Sequence, residues 1–301
     1  MKELSKVLFV GLVFVAFLVV LLVQRYAFAA EEVTVKAQPG NTAPNVASVE
    51  APAETVSPGT EFKVTAYVSD FNGREDITEV NISCWGSGGE EGGSNWDSLT
   101  LLNNSGYITW EAIDEDTWRI NATFNSSVPS WGHKSINGSW TCKVGVKDSS
   151  GSSASGSDTM SVDTLAGIIL GASSCQFDSG APGTNGNQWE CSNHRNNTVV
   201  HDGNTNIYVT IEATSLIGKT DGNWTIGYDK MTWNQTVGEV PTNEDESYPE
   251  FTASPANFIT NWGRGTYPNP SATNSTVWID YPTPLLLQEY EGTITFTAGV
   301  G

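Results

Sequence analysis

The chain has 301 residues, a formal net charge of −20 at pH 7 and only 16% charged residues. A chain this acidic is not expected to bind nucleic acid, because phosphate binding requires clustered lysine and arginine. Ser, Thr, Asn and Gly carry most of the polarity, which favours β-structure and turns over charged amphipathic helices.

The N-terminal segment, residues 1–30, has the pattern of an export signal. Lys2 and Lys6 precede an uncharged apolar run over residues 7–23, and small residues follow at Ala27-Phe28-Ala29-Ala30. This pattern is typical of a signal peptide cut before Ala30. A bilayer-spanning helix needs ~17–25 residues, so a retained helix that anchors the chain in a membrane through residues 7–23 stays open.

Residues 31–44 predict one strand followed by a linker. Val33, Val35 and Ala37 alternate with polar residues, and turn-forming residues follow up to Pro44. We expect the first strand of the next domain here. The alternative is a strand that pairs with a neighbouring subunit, because sheet edges accept added strands.

The remaining chain predicts an all-β fold with two antiparallel β-sandwich domains, residues 45–163 and 164–301. Short alternating segments separated by turns carry this prediction. They cover residues 62–68, 77–84, 118–124, 140–146, 160–162, 206–212, 224–228, 276–280 and 292–298. The Ser/Gly-rich stretch 149–157 predicts a loop, and the apolar run 165–170 predicts a buried strand.

Four cysteines in a chain with an export signal predict two disulfides. Three pairings are possible, and sequence order with the domain division favours Cys84–Cys142 and Cys175–Cys191. A disulfide between two strands in a tryptophan-rich core fits an immunoglobulin-like sandwich, with Trp110, Trp118 and Trp140 as candidate core residues.

Two segments resemble parts of a known class of protein. Tyr67–Val80 resembles the strand–turn–strand of immunoglobulin-like modules in archaeal and bacterial cell-surface proteins, and Tyr290–Thr297 is similar to the closing strand of their tandem β-sandwich domains. The resemblance implies a pilin-like, filament-like or S-layer-like surface protein.

Sequons for N-linked glycosylation occur in both halves of the chain. The acceptor residues are Asn81, Asn103, Asn121, Asn125, Asn137, Asn196, Asn223, Asn234 and Asn274. Glycans at these positions would cover much of the surface, which suits a passive coat or fibre.

Calcium is the cation that the sequence favours, because calcium binds oxygen ligands. The two candidate sets are Asp70, Asn72 and Asp76, and Asp202, Asn204 and Asn206. Neither has the order of an EF-hand loop, and both also suit ordinary turns. A zinc set of Cys175, Cys191, His194 and His201 is less expected than a disulfide, and no other cofactor is predicted.

No catalytic residues are predicted, so the protein is expected not to be an enzyme. The serines do not lie in the Gly-x-Ser-x-Gly motif of a nucleophile elbow. His133, His194 and His201 lie in polar, turn-rich sequence and are expected at the surface. The tryptophans at positions 96, 131, 189, 233 and 262 are expected to pack in cores or anchor loops, with sugar stacking as the alternative.

The function predicted from these observations is that of a glycosylated structural subunit of an extracellular filament or cell-surface coat. It would form a homopolymer, assembled or anchored through its N-terminal segment. An apolar N-terminal helix followed by a β-body is similar to pilins, although this sequence has no pilin-type processing site and no acidic residue in the apolar run. The alternatives are a carbohydrate-binding adhesin and, more remotely, a secreted hydrolase.

Overall fold

The computed structural model describes residues 2–26, 40–93, 95–103, 105–128, 131–237 and 240–301, and within the N-terminal helix the side chains of residues 8–20. The chain divides into two units, residues 1–41 and 42–301. The predicted strand at residues 33–37 and the predicted cleavage site before Ala30 lie outside the described residues.

The first unit contains helix α1, Lys2–Tyr26. Every described side chain from Leu8 to Val20 is exposed, and none of them is polar or charged. Within the part of the chain that the structure describes, no helix is both long and apolar enough to span a bilayer.

In the second unit, the described residues of what we call the first region, residues 45–163, form eight strands. They are β1 (Asn45–Glu50), β2 (Phe62–Ser69), β3 (Ile77–Trp85), β4 (Ser98–Leu102), β5 (Ile108–Ala112), β6 (Thr117–Phe124), β7 (Gly138–Asp148) and β8 (Ser153–Val162). They form two four-stranded antiparallel sheets, with orders β1-β2-β6-β5 and β4-β3-β7-β8. A turn of 3-10 helix, Arg74–Asp76, joins β2 to β3.

Both sheets contribute side chains to one core. Alternate residues of β2 and β6 are buried, including Val64 and Ile120, and they share a cluster with Ile82 of β3 and Trp140 of β7. This alternation is the pattern expected of strands with one buried face. Of the predicted core tryptophans, Trp118 and Trp140 are buried and Trp110 packs against the cluster.

The disulfide Cys84–Cys142 has the predicted partners and joins two strands in a core that contains tryptophans, as predicted. Its two cysteines are register partners on the neighbouring strands β3 and β7, with Cα atoms 4.1 Å apart. The bond therefore lies within one sheet, whereas the disulfide of antibody domains joins two sheets.

The prediction of a loop over residues 149–157 is wrong for Ser153–Ser157, which belong to β8. This strand pairs with β7 along its whole length. Gly156 has a packing reason, because a Cβ atom there would lie 3.1 Å from methyl groups of Val46 and Val49 on β1. Close approach of β1 therefore accounts for the glycine, while Ser153, Ser155 and Ser157 are exposed.

The remaining strands, in what we call the second region, residues 164–301, are mostly short. They are β9 (Ile168–Leu170), β10 (Gln176–Phe177), β11 (Asn187–Glu190), β12 (Asn197–His201), β13 (Ile207–Ala213), β14 (Leu216–Gly218), β15 (Thr225–Ile226), β16 (Met231–Thr236), β17 (Ala256–Trp262), β18 (Gly265–Thr266), β19 (Asn269–Pro270), β20 (Ala272–Ile279), β21 (Tyr290–Glu291) and β22 (Ile294–Val300).

The central strand of the second region is β20, which pairs with β11, β12 and β16. Two three-stranded sheets, β17-β13-β22 and β15-β14-β21, and the hairpin β18-β19 complete this region. Its core is a second cluster that includes Val209, Met231 and Val277. The second disulfide, Cys175–Cys191, has the predicted partners and closes the β10–β11 hairpin.

Two further sequence predictions are corrected in this region. The apolar run 165–170 predicts a buried strand, but β9 is an edge strand, and Ile169 and Leu170 are exposed on it. Residues 224–228 hold only the two-residue strand β15, followed by a 3-10 turn at Tyr228–Lys230. The broader prediction of a mostly antiparallel β chain with one N-terminal helix is confirmed.

Candidate functional site

Three aspartates meet at one end of the first region. Asp70 directly follows β2, Asp76 ends the 3-10 turn before β3, and Asp148 is the last residue of β7. Antiparallel pairing sets Ile77 opposite Asp148, which brings the β2–β3 loop against the β7–β8 turn. One carboxylate oxygen of each aspartate lies within 4.8 Å of the other two.

Two of these carboxylates have an oxygen with no hydrogen-bond partner in the described part of the chain. Asp70 Oδ1 accepts a hydrogen bond from Asn72 N (2.8 Å), and Asp76 Oδ1 accepts one from the Ser149 hydroxyl. Among the described residues, the Oδ2 atoms of Asp70 and Asp76 are buried without a hydrogen-bond partner. An unsatisfied buried charged oxygen is costly, so these two atoms need an explanation.

The third carboxylate and the electrostatics complete this acidic cluster. Asp148 is buried, and its Oδ1 accepts a hydrogen bond from Ser152 N (2.7 Å). Burial raises the pKa of Asp70, the backbone bond from Asn72 opposes this, and the charges of Asp76 and Asp148 raise the pKa further. Like charges gathered in a covered site favour either a bound proton or a bound cation.

The sequence anticipated two members of the cluster and missed the third. Asp70 and Asp76 are brought together as predicted, but the side-chain oxygen of Asn72 accepts a hydrogen bond from Thr42 N (2.7 Å) instead. Asp148 was not predicted. In the sequence, Asp148 is only an aspartate at a strand end before a Ser-Ser-Gly turn. Its place beside Asp70 and Asp76 can be recognised only when the register of β7 with β3 is known.

The second predicted calcium set, Asp202, Asn204 and Asn206, is committed to protein contacts. Asp202 Oδ2 lies 2.9 Å from His133 Nδ1, which joins the second region to the first. Asn206 Nδ2 donates to Asn261 Oδ1 (2.9 Å). We therefore assign no cation to this set.

Asn204 links the two regions through their backbones. Its buried side chain donates to Ser135 O (2.9 Å) and Asp163 O (2.7 Å), and its Oδ1 accepts from Leu165 N (2.7 Å). These three bonds lie where the chain passes from the first region to the second, so the Asn204 amide has a structural role.

A bidentate ion pair also holds the two regions together. Arg264 Nη1 donates to Asp97 Oδ1 (2.7 Å), and Nη2 donates to Asp97 Oδ2. Asp97 Oδ1 also accepts from Ile136 N (2.9 Å), and Arg264 donates to Lys134 O. The side chains are 8% and 20% exposed for Asp97 and Arg264, so the pair is largely shielded from water.

His201 is fully buried at the end of β12, which corrects its predicted surface position. Its Nδ1 accepts a hydrogen bond from Gly203 N (3.1 Å), and its Nε2 lies 3.0 Å from Thr205 O. These contacts suit a neutral ring that carries its proton on Nε2. Burial lowers the pKa of His201 below its ordinary value of 6.5, and the Lys134 charge adds to this.

The zinc set is ruled out by its cysteines, because Cys175 and Cys191 are joined in a disulfide. His133 and His194 are exposed, as predicted. The two disulfides indicate that the chain matures in an oxidising compartment.

The tryptophans considered for sugar stacking divide into buried and half-buried groups. Three are buried in the cores, in agreement with core packing: Trp131, Trp189 and Trp233. Trp96 and Trp262 are half-buried. Trp96 lines an open groove of about 480 Å³ with His133, Lys134 and Asp202, and we call this the Trp96 groove.

The sequon asparagines differ in accessibility. Asn103 and Asn223 are exposed on turns. Asn196 Nδ2 donates to Asn274 Oδ1 (2.6 Å), so two acceptor residues are bonded to each other. The others are half-buried: Asn81, Asn121, Asn125, Asn137 and Asn234.

Comparisons with known proteins add little to this geometry. No protein-family model matches the chain, and no curated protein matches it. Among solved structures, dimeric latent PorU from Porphyromonas gingivalis is similar over 85% of this chain and 21% of its own, with 16% identity and a TM-score of 0.26.

Two other solved structures are similar at the same level. A DUF4785 family protein from Legionella pneumophila matches 83% of this chain and 46% of its own, with 10% identity and a TM-score of 0.24. Carbohydrate-binding modules of the β-sandwich superfamily match 86% of this chain and 97% of their own, with 12% identity and a TM-score of 0.23. The chain thus spans about a fifth of PorU and under half of the Legionella protein, and scores this low define neither its fold nor its function.

Proposed function

We propose that this protein is an exported structural subunit of the cell surface, which assembles with copies of itself through helix α1 into a filament or coat. The observation that carries the proposal is the surface of α1, where every described side chain from Leu8 to Val20 is apolar and exposed. A helix that is apolar on all sides is stable only when that surface is covered. Copies of the same helix offer a matching apolar surface.

Export is supported by the covalent chemistry of the chain. Disulfides persist in oxidising compartments, and sequons mark surfaces that can carry N-linked glycans. Of the sequon asparagines, Asn103 and Asn223 are the exposed residues. The displayed body therefore carries glycans first at these turns.

The displayed body is a pair of β-sandwiches with immunoglobulin-like character, residues 45–163 and 164–301. The support is the shared core between two four-stranded sheets in the first region and a separate core in the second. The disulfide within one sheet departs from the antibody pattern, so the likeness concerns the sandwich and not the disulfide.

The proposal is tested by the mature protein on its own cells. N-terminal peptides measured by mass spectrometry are expected to retain α1, and electron microscopy of the cell surface is expected to show repeating subunits. Removal of residues 1–29 together with monomers on intact cells would overturn the proposal. Removal of residues 1–29 with filaments still present would replace helix assembly by donation of the predicted strand at residues 33–37.

Substitutions in α1 test the assembly surface directly. Phe14→Glu with Phe17→Glu introduces charges into the apolar surface, so the full chain is expected to become monomeric by light scattering. The matched control, Phe14→Leu with Phe17→Leu, keeps the surface apolar and is expected to assemble. Insertion of the unsubstituted chain into lipid vesicles without self-association would favour membrane anchoring through residues 7–23 instead.

The Trp96 groove favours a second function, carbohydrate binding by a surface adhesin. Sugar sites combine an aromatic face with polar hydrogen-bonding groups, and the groove offers Trp96 with Asp202 and Lys134. Binding on a glycan array that is lost in Trp96→Ala but kept in Phe71→Ala, an exposed aromatic outside the groove, would support it. An array without binding to the unsubstituted chain would exclude the sugars tested.

A further inference from the structure

The acidic cluster contains two buried oxygens without a hydrogen-bond partner among the residues that the structure describes. Asp70 is 1% exposed, and its Oδ2 lies with that of Asp76 in a group that Asp148 completes. Natural proteins rarely leave buried polar atoms unsatisfied, and an ion is one of the ordinary explanations where they do. We propose that Asp70, Asp76 and Asp148 bind a calcium ion.

The ligand atoms identify the class of ion. Carboxylate oxygens select hard cations such as calcium and magnesium over zinc or copper, which favour nitrogen and sulfur. Oxygens bound to one calcium at 2.3–2.6 Å lie up to roughly 5 Å apart, while those of magnesium lie up to roughly 4 Å apart. The three aspartate oxygens lie within 4.8 Å of one another, so they fit inside one calcium shell. Water completes its coordination.

The basic residue inside the loop is turned to other partners. Arg74 Nη1 donates to Ile77 O (3.0 Å), and its guanidinium lies 3.6 Å from the centre of the Trp110 ring. Arg74 is therefore engaged away from the unpartnered oxygens of Asp70 and Asp76. A cation bound from solution would therefore neutralise the negative charge of the three aspartates.

Binding would join the β2–β3 loop to the β7–β8 turn. Asp70 and Asp76 lie at the two ends of the β2–β3 loop, and Asp148 begins the β7–β8 turn. Before binding, the mutual repulsion of the carboxylates acts against the closed loop; after binding, the ion holds it. Calcium would therefore rigidify this end of the first region, and this effect does not require assembly through α1.

Calcium binding is measured on the full chain by calorimetry and thermal denaturation, with magnesium at equal concentration as the comparison. We expect one calcium ion per chain and a rise in melting temperature that EDTA reverses. Extracellular calcium sites bind with dissociation constants of ~0.1–1 mM, so the titration extends to ~10 mM. Absence of binding at that concentration, or an equal response to magnesium, would overturn the proposal.

Substitutions separate a defined site from general attraction to an acidic chain. Asp76→Asn and Asp148→Asn each remove one ligand charge, and each is expected to weaken calcium binding by at least roughly 10- to 100-fold. Both are also expected to fold without calcium, because they reduce repulsion in the cluster. Glu75→Gln, an exposed acid in the same loop, is the matched control and is expected to bind calcium nearly normally. Equal weakening in all three variants would contradict a site at these aspartates.

Proteolysis gives a local measurement at the loop itself. Phe71 is 80% exposed between the two ligands Asp70 and Asp76, and chymotrypsin accepts such a residue in its hydrophobic pocket. Calcium is expected to slow cleavage after Phe71 by about 10-fold or more, because local opening limits cleavage. Cleavage after Leu287, which is 94% exposed and far along the chain, is expected to stay unchanged. Equal protection at both positions would mean that no ion holds the loop.

Discussion

The pair Arg264–Asp97 is a largely buried contact between the two regions. Arg264→Ala leaves the Asp97 carboxylate buried without its partner, so the free energy of unfolding is expected to fall by about 3–5 kcal/mol. Chemical denaturation monitored by tryptophan fluorescence measures the change.

The control for this prediction is an ion pair on the surface. Arg119 binds Glu111 with side chains that are 35% and 54% exposed, and Arg119→Ala is expected to cost far less stability than Arg264→Ala. Similar losses from both variants would show that burial of the Arg264 pair does not matter.

His201 makes stability depend on pH. Its folded-state pKa is lowered by burial, so below its ordinary value of 6.5 the unfolded chain binds the proton more readily than the folded chain. The contribution of the neutral ring is therefore fully present above about pH 6.5 and is lost as the pH falls below that value.

Thermal denaturation between about pH 7.5 and 5 tests this contribution. His201→Gln keeps a polar side chain that does not titrate, and it is expected to flatten the pH dependence. His194→Gln changes an exposed histidine and is expected to leave the dependence as it is. If His194→Gln flattened the pH dependence more than His201→Gln, the pH dependence would not come from the buried His201.

At the scale of elements, the two disulfides close loops of different length. Cys84–Cys142 spans 58 residues and Cys175–Cys191 spans 16. Loop-closure entropy in the unfolded chain gives about 4 kcal/mol for the first and about 3 kcal/mol for the second. Paired substitutions to alanine, compared by urea denaturation, are expected to show the greater loss at Cys84–Cys142. The reverse order would mean that contacts in the β10–β11 hairpin outweigh loop length.

The strands that the sequence predicted are those with one apolar face. Val64, Ile82 and Ile120 lie on such strands, and their alternation is visible without any knowledge of neighbours. The first half of β8 was predicted as a loop because its serines are exposed and its one glycine, Gly156, packs against Val46 and Val49 of β1. Alternation of apolar and polar residues identifies strands with one buried face. A strand that lacks this alternation, such as the start of β8, is recognised only when its neighbouring strand is known.

The candidate site shows the same limit between positions far apart in the sequence. Asp70 and Asp76 share a loop, so they could be predicted as a pair. Asp148 and Arg264 act on residues many positions away, and their roles follow from strand register and from the junction of the regions. His201 was misplaced because turn residues surround it in sequence, although the fold encloses its ring.

At the scale of the whole molecule, a charge of −20 acts against assembly of identical chains. Salt shortens the range of this repulsion from about 30 Å at 0.01 M to about 3 Å at 1 M. The proposed assembly through α1 is therefore expected to begin at lower protein concentration as salt increases, as sedimentation would show. The variant Phe14→Glu with Phe17→Glu is expected to stay monomeric throughout. Assembly that weakens with salt would point to charge pairs between subunits.

The disulfide between β3 and β7 also limits how far the chain can be stretched. When force is applied to the two ends of a chain, residues enclosed by a disulfide cannot extend. The 58-residue span of Cys84–Cys142 withholds roughly 200 Å of extended length, and the 16-residue span of Cys175–Cys191 withholds roughly 50 Å. The disulfides would therefore limit the maximum extension of each subunit in a fibre under tension. Reduction of the disulfides would increase the length to which the fibre can be stretched.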